Sequence, residues 1–172
     1  DGRSYLGLIH RARATVPSIA LRSTLIVGFP GEGEQEFEEL LEFVLQARFD
    51  HLGVFGYSWQ EENPGAELGD PVPVELKAER RDRILAAQQS ISLEHNRALV
   101  GRAVPAIVAG PLREMELLTE GRLQRQAPEI DGRLLINDGS AAAGSLVEVE
   151  VTEAHPYDLV GRLVAVTRAA SP

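Results

Sequence analysis

The chain has 172 residues, of which 44% are hydrophobic and 25% are charged, and its net charge is −9. This composition predicts a globular protein with one or two domains, and the absence of cysteine excludes disulfides, thiolate metal sites and an iron–sulfur cluster held by this segment. The sequence contains no apolar run of membrane-spanning length and no apolar signal core at its start, so we expect a cytoplasmic protein with no membrane contact.

The acidic charge is spread along the whole chain. Residues 1–97 hold 10 Lys and Arg against 16 Asp and Glu, and residues 98–172 hold 7 against 10. The only lysine is Lys77. Neither half offers the basic patch that binds phosphate backbones, so the charge favours a basic protein partner over RNA.

The first part of the chain reads as an α/β repeat. Its apolar periodicity predicts, in order, a helix over 4–16, a buried strand over 20–27, a loop over 28–33, an amphipathic helix over 34–48 and a second strand over 50–58. The chain opens inside a helix with no start signal, which is typical of a segment of a longer protein.

The Gly/Pro loop over 28–33 has two interpretations. It matches neither a Walker loop nor a GxGxxG fingerprint, so its glycines and proline could simply make the turn between strand and helix. Alternatively, the exposed backbone at the carboxyl end of a strand borders a ligand crevice, as is usual in α/β folds. Phe55 and Tyr57 would then border the same rim, and such an apolar crevice suits an adenine ring.

A polar loop over 59–72 and a long helix follow. The adjacent acids Glu61 and Glu62 are interpreted as solvated, and Pro73 opens a helix that we expect to run to about Val100 as a spacer between two bodies. The middle of this helix, KAERRDR, is expected to be solvated and to carry pairs such as Glu79 with Arg83. The four histidines are scattered and no two have metal-site spacing.

After Gly101 the sequence pattern changes, and short strand-like runs alternate with turns. Strands are predicted over 102–109, 115–122, 133–136, 146–152 and 159–167, which suggests a small closed or nearly closed barrel. Alternation in LVEVEVT is expected to turn three valines inward and Glu148 and Glu150 outward, giving an acidic outer wall. Two turns stand out, APEIDG with Glu129 and Asp131, and HPYDLVG with Tyr157 and Asp158, although each taken alone reads as structural.

These motifs together resemble a known family. LRSTLIVGFPGEGEQEF, LGVFGYS, ERRDRILAAQQSIS, APEIDG and YDLVG, in that order, are similar to the C-terminal part of radical-SAM methylthiotransferases. Within that group they are nearest to the RimO type, which methylthiolates an aspartate of a small-subunit ribosomal protein. The resemblance covers essentially the whole chain.

The resemblance implies an architecture. Residues 1–72 would be the last βα units of a partial, TIM-like radical-SAM barrel, and 73–100 a connecting helix. Residues 101–168 would be a TRAM domain, a five-stranded antiparallel, OB-like barrel that contacts the substrate macromolecule, with a tail over 169–172. On that barrel we assign substrate contacts to six residues: Glu129, Asp131, Glu148, Glu150, Tyr157 and Asp158.

The resemblance also implies cofactors. The family uses S-adenosylmethionine and two [4Fe–4S] clusters whose cysteines would lie before Asp1, so this segment alone is expected to be inactive. By position on the fifth and sixth barrel strands, six residues are expected to form part of the S-adenosylmethionine wall: Ile26, Gly28, Phe29, Val54, Phe55 and Tyr57.

Two alternatives remain open at this point. The chain could be the C-terminal part of a tRNA methylthiotransferase with an RNA-binding TRAM domain, although the charge of the barrel speaks against it. It could also be a non-catalytic module that binds a basic protein.

Overall fold

The structure, a computed structural model, describes residues 2–61, 66–112 and 115–170. The chain divides into two compact units, Asp1–Ile91 and Ser92–Pro172. Glu61 is exposed, whereas its predicted partner in the acid pair, Glu62, lies outside the described residues.

The first unit has the predicted order of helices and strands. Its elements are α1 (Gly2–Thr15), β1 (Arg22–Val27), α2 (Glu34–Ala47), β2 (His51–Gly56), a short 3₁₀ helix (Ala66–Leu68) and α3 (Val74–Arg97), which continues into the second unit. β1 and β2 pair in parallel, as the apolar runs predicted. Membership of this pair in a larger barrel stays a prediction.

The helices of the first unit cover one face of the β1–β2 pair. Val27 and Val54 from the strands pack with buried residues of the helices, which are Phe37, Val44, Ile84 and Ile91. The opposite face is open, because Ile26 and Phe55 are 55% and 60% exposed. The sheet therefore presents apolar side chains on a face that no described element of this unit covers.

The expectation that the middle of α3 is solvated was right for Glu79, Arg81 and Asp82, which are exposed, but wrong for two of its cations. Lys77 and Arg80 are only 6% and 3% exposed. Each charge has an acidic partner from a loop, Asp70 for Lys77 and Glu32 for Arg80. The buried side of the helix therefore includes two charged side chains. The sequence pattern did not predict this, because it locates the buried side of a helix from apolar residues.

The second unit is a closed barrel. Its strands are β3 (Ala103–Leu112), β4 (Met115–Leu123), β5 (Leu134–Asp138), β6 (Leu146–Ala154) and β7 (Leu159–Arg168), joined in the order β3-β4-β5-β7-β6 with β6 pairing back to β3. The five strands and their closure were predicted, whereas the prediction of an antiparallel barrel needs a correction. β5 and β7 pair in parallel, and the other four pairings are antiparallel.

The parallel pair has a simple cause. Around a ring of purely antiparallel pairs the strand direction must alternate, and an odd number of strands cannot alternate and still close. A five-stranded closed barrel therefore needs at least one parallel pair, and here it is the pair formed by β5 and β7.

The barrel interior is filled by alternating residues. Val147, Val149 and Val151 of β6 are 1%, 0% and 0% exposed, as the alternation in LVEVEVT predicted. They pack with Leu134 and Leu159 from the parallel pair.

Among the described residues, no helix of either unit is both long and apolar enough to traverse a bilayer.

The barrel wall leaves no room at Gly161. A Cβ atom there would lie 2.5 Å from Val149 Cγ1 and 2.6 Å from the Glu150 carbonyl oxygen. We expect Gly161→Ala to lower the free energy of unfolding by about 1–3 kcal/mol, because the neighbouring strand must shift. Urea denaturation of the chain measures the change.

The control for this substitution is Gly7→Ala in α1. A Cβ atom at Gly7 would approach only the flexible end of Arg11, at 3.5 Å, and alanine favours helix by about 1 kcal/mol. Equal stability changes for the two variants would contradict the packing argument at Gly161.

Candidate functional site

The open face of the β1–β2 pair carries two of the residues predicted for the cofactor wall. Ile26 and Phe55 are register partners, so their exposed side chains lie side by side on this face. Val54 lies on the other face, where its side chain is 7% exposed within the helix-packed core. Of the three strand residues predicted for the wall, Ile26 and Phe55 therefore offer side chains to a ligand.

The loop over 28–33 and the end of β2 supply the other three. Gly28 adopts φ +72°, a conformation that favours glycine, and its N–H donates to Glu32 Oε1 at 2.8 Å. The Tyr57 N–H donates to the Val27 carbonyl at 2.8 Å. The Phe29 and Tyr57 rings meet edge to face with their centroids 5.2 Å apart. Gly28, Phe29 and Tyr57 thus meet at the carboxyl edge of the strand pair.

Two residues of α3 that the sequence interpretation missed lie behind this edge. Arg80 Nη1 donates to Glu32 Oε1 at 2.7 Å and to the Glu32 carbonyl at 3.0 Å, so the same carboxylate receives both the Gly28 N–H and the guanidinium. Lys77 Nζ donates to the Tyr57 carbonyl at 2.9 Å and pairs with Asp70. The sequence offered one indication of a special role for Lys77, which is that it is the only lysine of the chain.

A cleft of about 550 Å³ adjoins the end of β2. Tyr57 and Ser58 line one side of it, and Lys77, Arg81 and Asp70 line another. The chemistry of this edge is therefore mixed, with apolar and aromatic side chains on the open face and paired charges beside it. This combination can hold a flat apolar ring next to a polar group.

In the second unit the two signature turns lie side by side. A Cβ atom at Gly132 would overlap the Tyr157 carbonyl, so only glycine permits this approach. Asp158 Oδ1 accepts the Arg133 N–H at 2.8 Å, and the Leu159 N–H donates to the Arg133 carbonyl at 2.9 Å. The turns together form the start of the parallel β5–β7 pair.

The four predicted contact residues in these turns differ in what they can offer a partner. Asp131 Oδ2 accepts the Ala127 N–H at 2.6 Å, so Asp131, like Asp158, holds its turn in shape. Glu129 and Tyr157 are exposed, and Glu129 has a left-handed backbone at φ +63°. A cleft of about 630 Å³ lies beside Glu129.

Of the two carboxylates that the sequence predicts for the acidic outer wall of β6, one forms an ion pair. Both carboxylates face outward as predicted, but Glu150 Oε2 accepts bonds from Arg162 at 2.7 and 3.1 Å. The hydrogen bond to Glu150 raises the pKa of the Arg162 guanidinium above its usual value. Glu148 is exposed with uncharged register partners, Pro105 and Ala165, and forms no ion pair with any described residue. Glu148 is therefore the free one of the two carboxylates predicted for the wall. Glu153, the third acid of β6, is also exposed and lies 3.8 Å from His155 Nε2.

No group of three or more His, Cys, Asp and Glu side chains within the described ranges is placed to hold a metal ion.

Comparisons with known proteins give the family context of these sites. A family profile described as the TRAM domain matches residues 100–164, which include most of the barrel. A ribosomal protein uS12 methylthiotransferase RimO of Anaeromyxobacter sp. (strain K) is 54% identical over 167 residues, covering 96% of this chain and 36% of that protein. The proteins of the same name from Myxococcus xanthus and Syntrophotalea carbinolica are 49% and 46% identical, over 92% and 91% of this chain.

The chain matches the C-terminal part of the RimO methylthiotransferases. It spans about a third of the length of these relatives. The resemblance drawn from GFPGE, APEIDG and YDLVG is thereby confirmed, and so is the TRAM assignment of the barrel.

Two acids of the barrel, Asp158 and Glu129, were both predicted to contact the substrate, but the structure gives them different surroundings. We expect Asp158→Ala to destabilise the chain by about 1 kcal/mol, because it removes the acceptor of the Arg133 N–H. Glu129→Ala, its control, removes an exposed carboxylate and is expected to change stability by less than about 0.5 kcal/mol. Urea denaturation of both variants makes the comparison, and equal losses would contradict the turn-holding role of Asp158.

Proposed function

We propose that this chain is the C-terminal part of a radical-SAM methylthiotransferase that modifies an aspartate of a small-subunit ribosomal protein. The observation that carries the proposal is the similarity, over nearly the whole chain, to proteins named ribosomal protein uS12 methylthiotransferase. Such an enzyme acts where ribosomal proteins are found, so we place it in the cytoplasm. A mass increase of one methylthio group on the ribosomal protein, produced by the full-length enzyme, tests the activity.

The open face of the β1–β2 pair is our candidate for part of the S-adenosylmethionine wall. Ile26 and Phe55 would contact the adenosyl group, Phe29, Tyr57 and the Gly28 backbone would form the rim, and Val54 would support the strand from the core. When bound, S-adenosylmethionine would supply the radical and methyl chemistry. The two [4Fe–4S] clusters would take their ligands from outside these residues, because the chain contains no cysteine.

The TRAM barrel is our candidate surface for the ribosomal protein. Glu148, Glu129 and Tyr157 are exposed, so they can contact a basic partner directly. Asp131, Asp158 and the ion-paired Glu150 would act by holding the surface in shape. The region over 98–172 has seven arginines, no lysine and ten acids, which favours a basic protein over the phosphates of RNA.

The cofactor wall is tested by Phe55→Ala in the full-length enzyme. Because the substitution removes the larger of two exposed apolar side chains, we expect the Kd for S-adenosylmethionine to rise about tenfold. Equilibrium dialysis with labelled S-adenosylmethionine measures it. The control is Leu45→Ala, which shortens a side chain that is 49% exposed on α2. A Phe55→Ala enzyme that binds like the Leu45→Ala enzyme would refute the wall.

The substrate surface is tested by Glu148→Lys. Reversing the free carboxylate should weaken binding of the basic ribosomal protein about fivefold, and the loss should shrink at high salt. Glu39→Lys on the exposed side of α2 makes the same charge change and serves as the control. Titration calorimetry at two salt concentrations gives both Kd values.

Two results would contradict the assignment of the barrel. Equal affinities for the Glu148→Lys and Glu39→Lys enzymes would remove the acidic wall from substrate binding. Tight tRNA binding that weakens steeply with salt would instead favour the RNA-binding alternative.

A further inference from the structure

Lys77 is a buried cation that contacts the ends of both strands of the first unit. Its ammonium donates to the Tyr57 carbonyl just after β2 and pairs with Asp70. Its aliphatic stem fills the space beside Gly28, where a Cβ atom would overlap Lys77 Cγ. The same stem lies 3.6 Å from the position of a Cβ atom at Gly56. One side chain of α3 therefore fixes both the start of the 28–33 loop and the exit of β2.

The contacts of Lys77 determine where the aromatic rim lies. The Tyr57 peptide is held on both sides, because its N–H donates to Val27 and its carbonyl accepts from Lys77. The ammonium also lies 5.4 Å from the centroid of the Tyr57 ring, a cation–π distance. That ring in turn packs against Phe29 at 5.2 Å. Lys77 is thus one contact from Tyr57 and two contacts from Phe29, whose ring is 46% exposed at the rim.

Stability alone gives no reason for a charge at this position. Burying an ammonium carries a desolvation cost that its partner only partly offsets, and apolar replacements of similar volume are often neutral or stabilising at such sites. A methionine could fill the space beside Gly28 equally well, but it could not donate to the Tyr57 carbonyl.

From this geometry we infer that Lys77 is a positioning residue for the S-adenosylmethionine site, acting through the Tyr57 backbone and the Phe29–Tyr57 ring pair. The inference rests on the proposed function, in which this edge forms part of the cofactor wall. Lys77 itself would not touch the cofactor.

The test compares Lys77→Met with Arg83→Met in the full-length enzyme. Arg83 lies on the same helix and also pairs with acids, Glu34 and Glu38 of α2, but its side chain is 38% exposed and lies outside the lining of the cleft. Both substitutions remove one positive charge and introduce the same side chain. Only Lys77→Met removes the hydrogen-bond donor to the Tyr57 carbonyl at the end of β2.

Four measurements separate a positioning role from a folding role. For Lys77→Met we expect a Kd for S-adenosylmethionine about tenfold above wild type, and a KM for it raised in proportion while kcat at saturation changes less than about twofold. The Tm should change by less than about 4 °C. Hydrogen exchange should speed up in peptides covering residues 28–33 and 57–59, with the interior of α2 unchanged. Arg83→Met should match wild type in all four.

The outcomes distinguish this inference from the proposed function. Weak binding by Phe55→Ala together with wild-type binding by Lys77→Met would overturn the role of Lys77 and leave the cofactor wall standing. Wild-type binding by Phe55→Ala would overturn the wall and the inference together. Equal losses for Lys77→Met and Arg83→Met would also overturn the inference, because general charge loss would then explain both.

Discussion

The first unit depends on the salt bridge between Arg80 of α3 and Glu32 of the loop after β1. The Glu32 carboxylate accepts the Gly28 N–H and the Arg80 guanidinium at once, so it links the carboxyl end of a strand to a helix 48 residues further along the chain. Both side chains are largely buried, at 4% and 11% exposure, where removing either partner would leave an uncompensated charge. A loop rich in glycine and proline thereby acquires one defined conformation.

A second arrangement of the same kind organises the barrel. Asp131 and Asp158 accept backbone N–H groups of the two signature turns, and Gly132 lets those turns approach each other closely. In each unit, then, carboxylates accept backbone N–H groups and hold a loop or a turn in shape. Phe55 in the first unit and Glu148 in the second are exposed, and both belong to the proposed contact surfaces.

The features that could be predicted from the sequence are those that depend on the local spacing of apolar residues. The order of helices and strands and the inward valines of β6 follow from apolar spacing, and both were confirmed. The burial of Lys77 and Arg80 was missed because pattern rules treat charges as solvent-facing, while the acids that neutralise them come from separate loops. The parallel β5–β7 pair was also missed, although the odd number of strands alone would have required one.

That parallel pair has a consequence for how the barrel and its surface depend on each other. The turns that carry Glu129 and Tyr157 adjoin the start of the β5–β7 pair, so they come together only when these two strands have paired. A partner that contacts both turns would bind the chain with this pair formed and not the unfolded chain. By thermodynamic linkage it would stabilise the fold by an amount that grows with its concentration relative to its Kd, and its affinity would report how completely the parallel pair had formed.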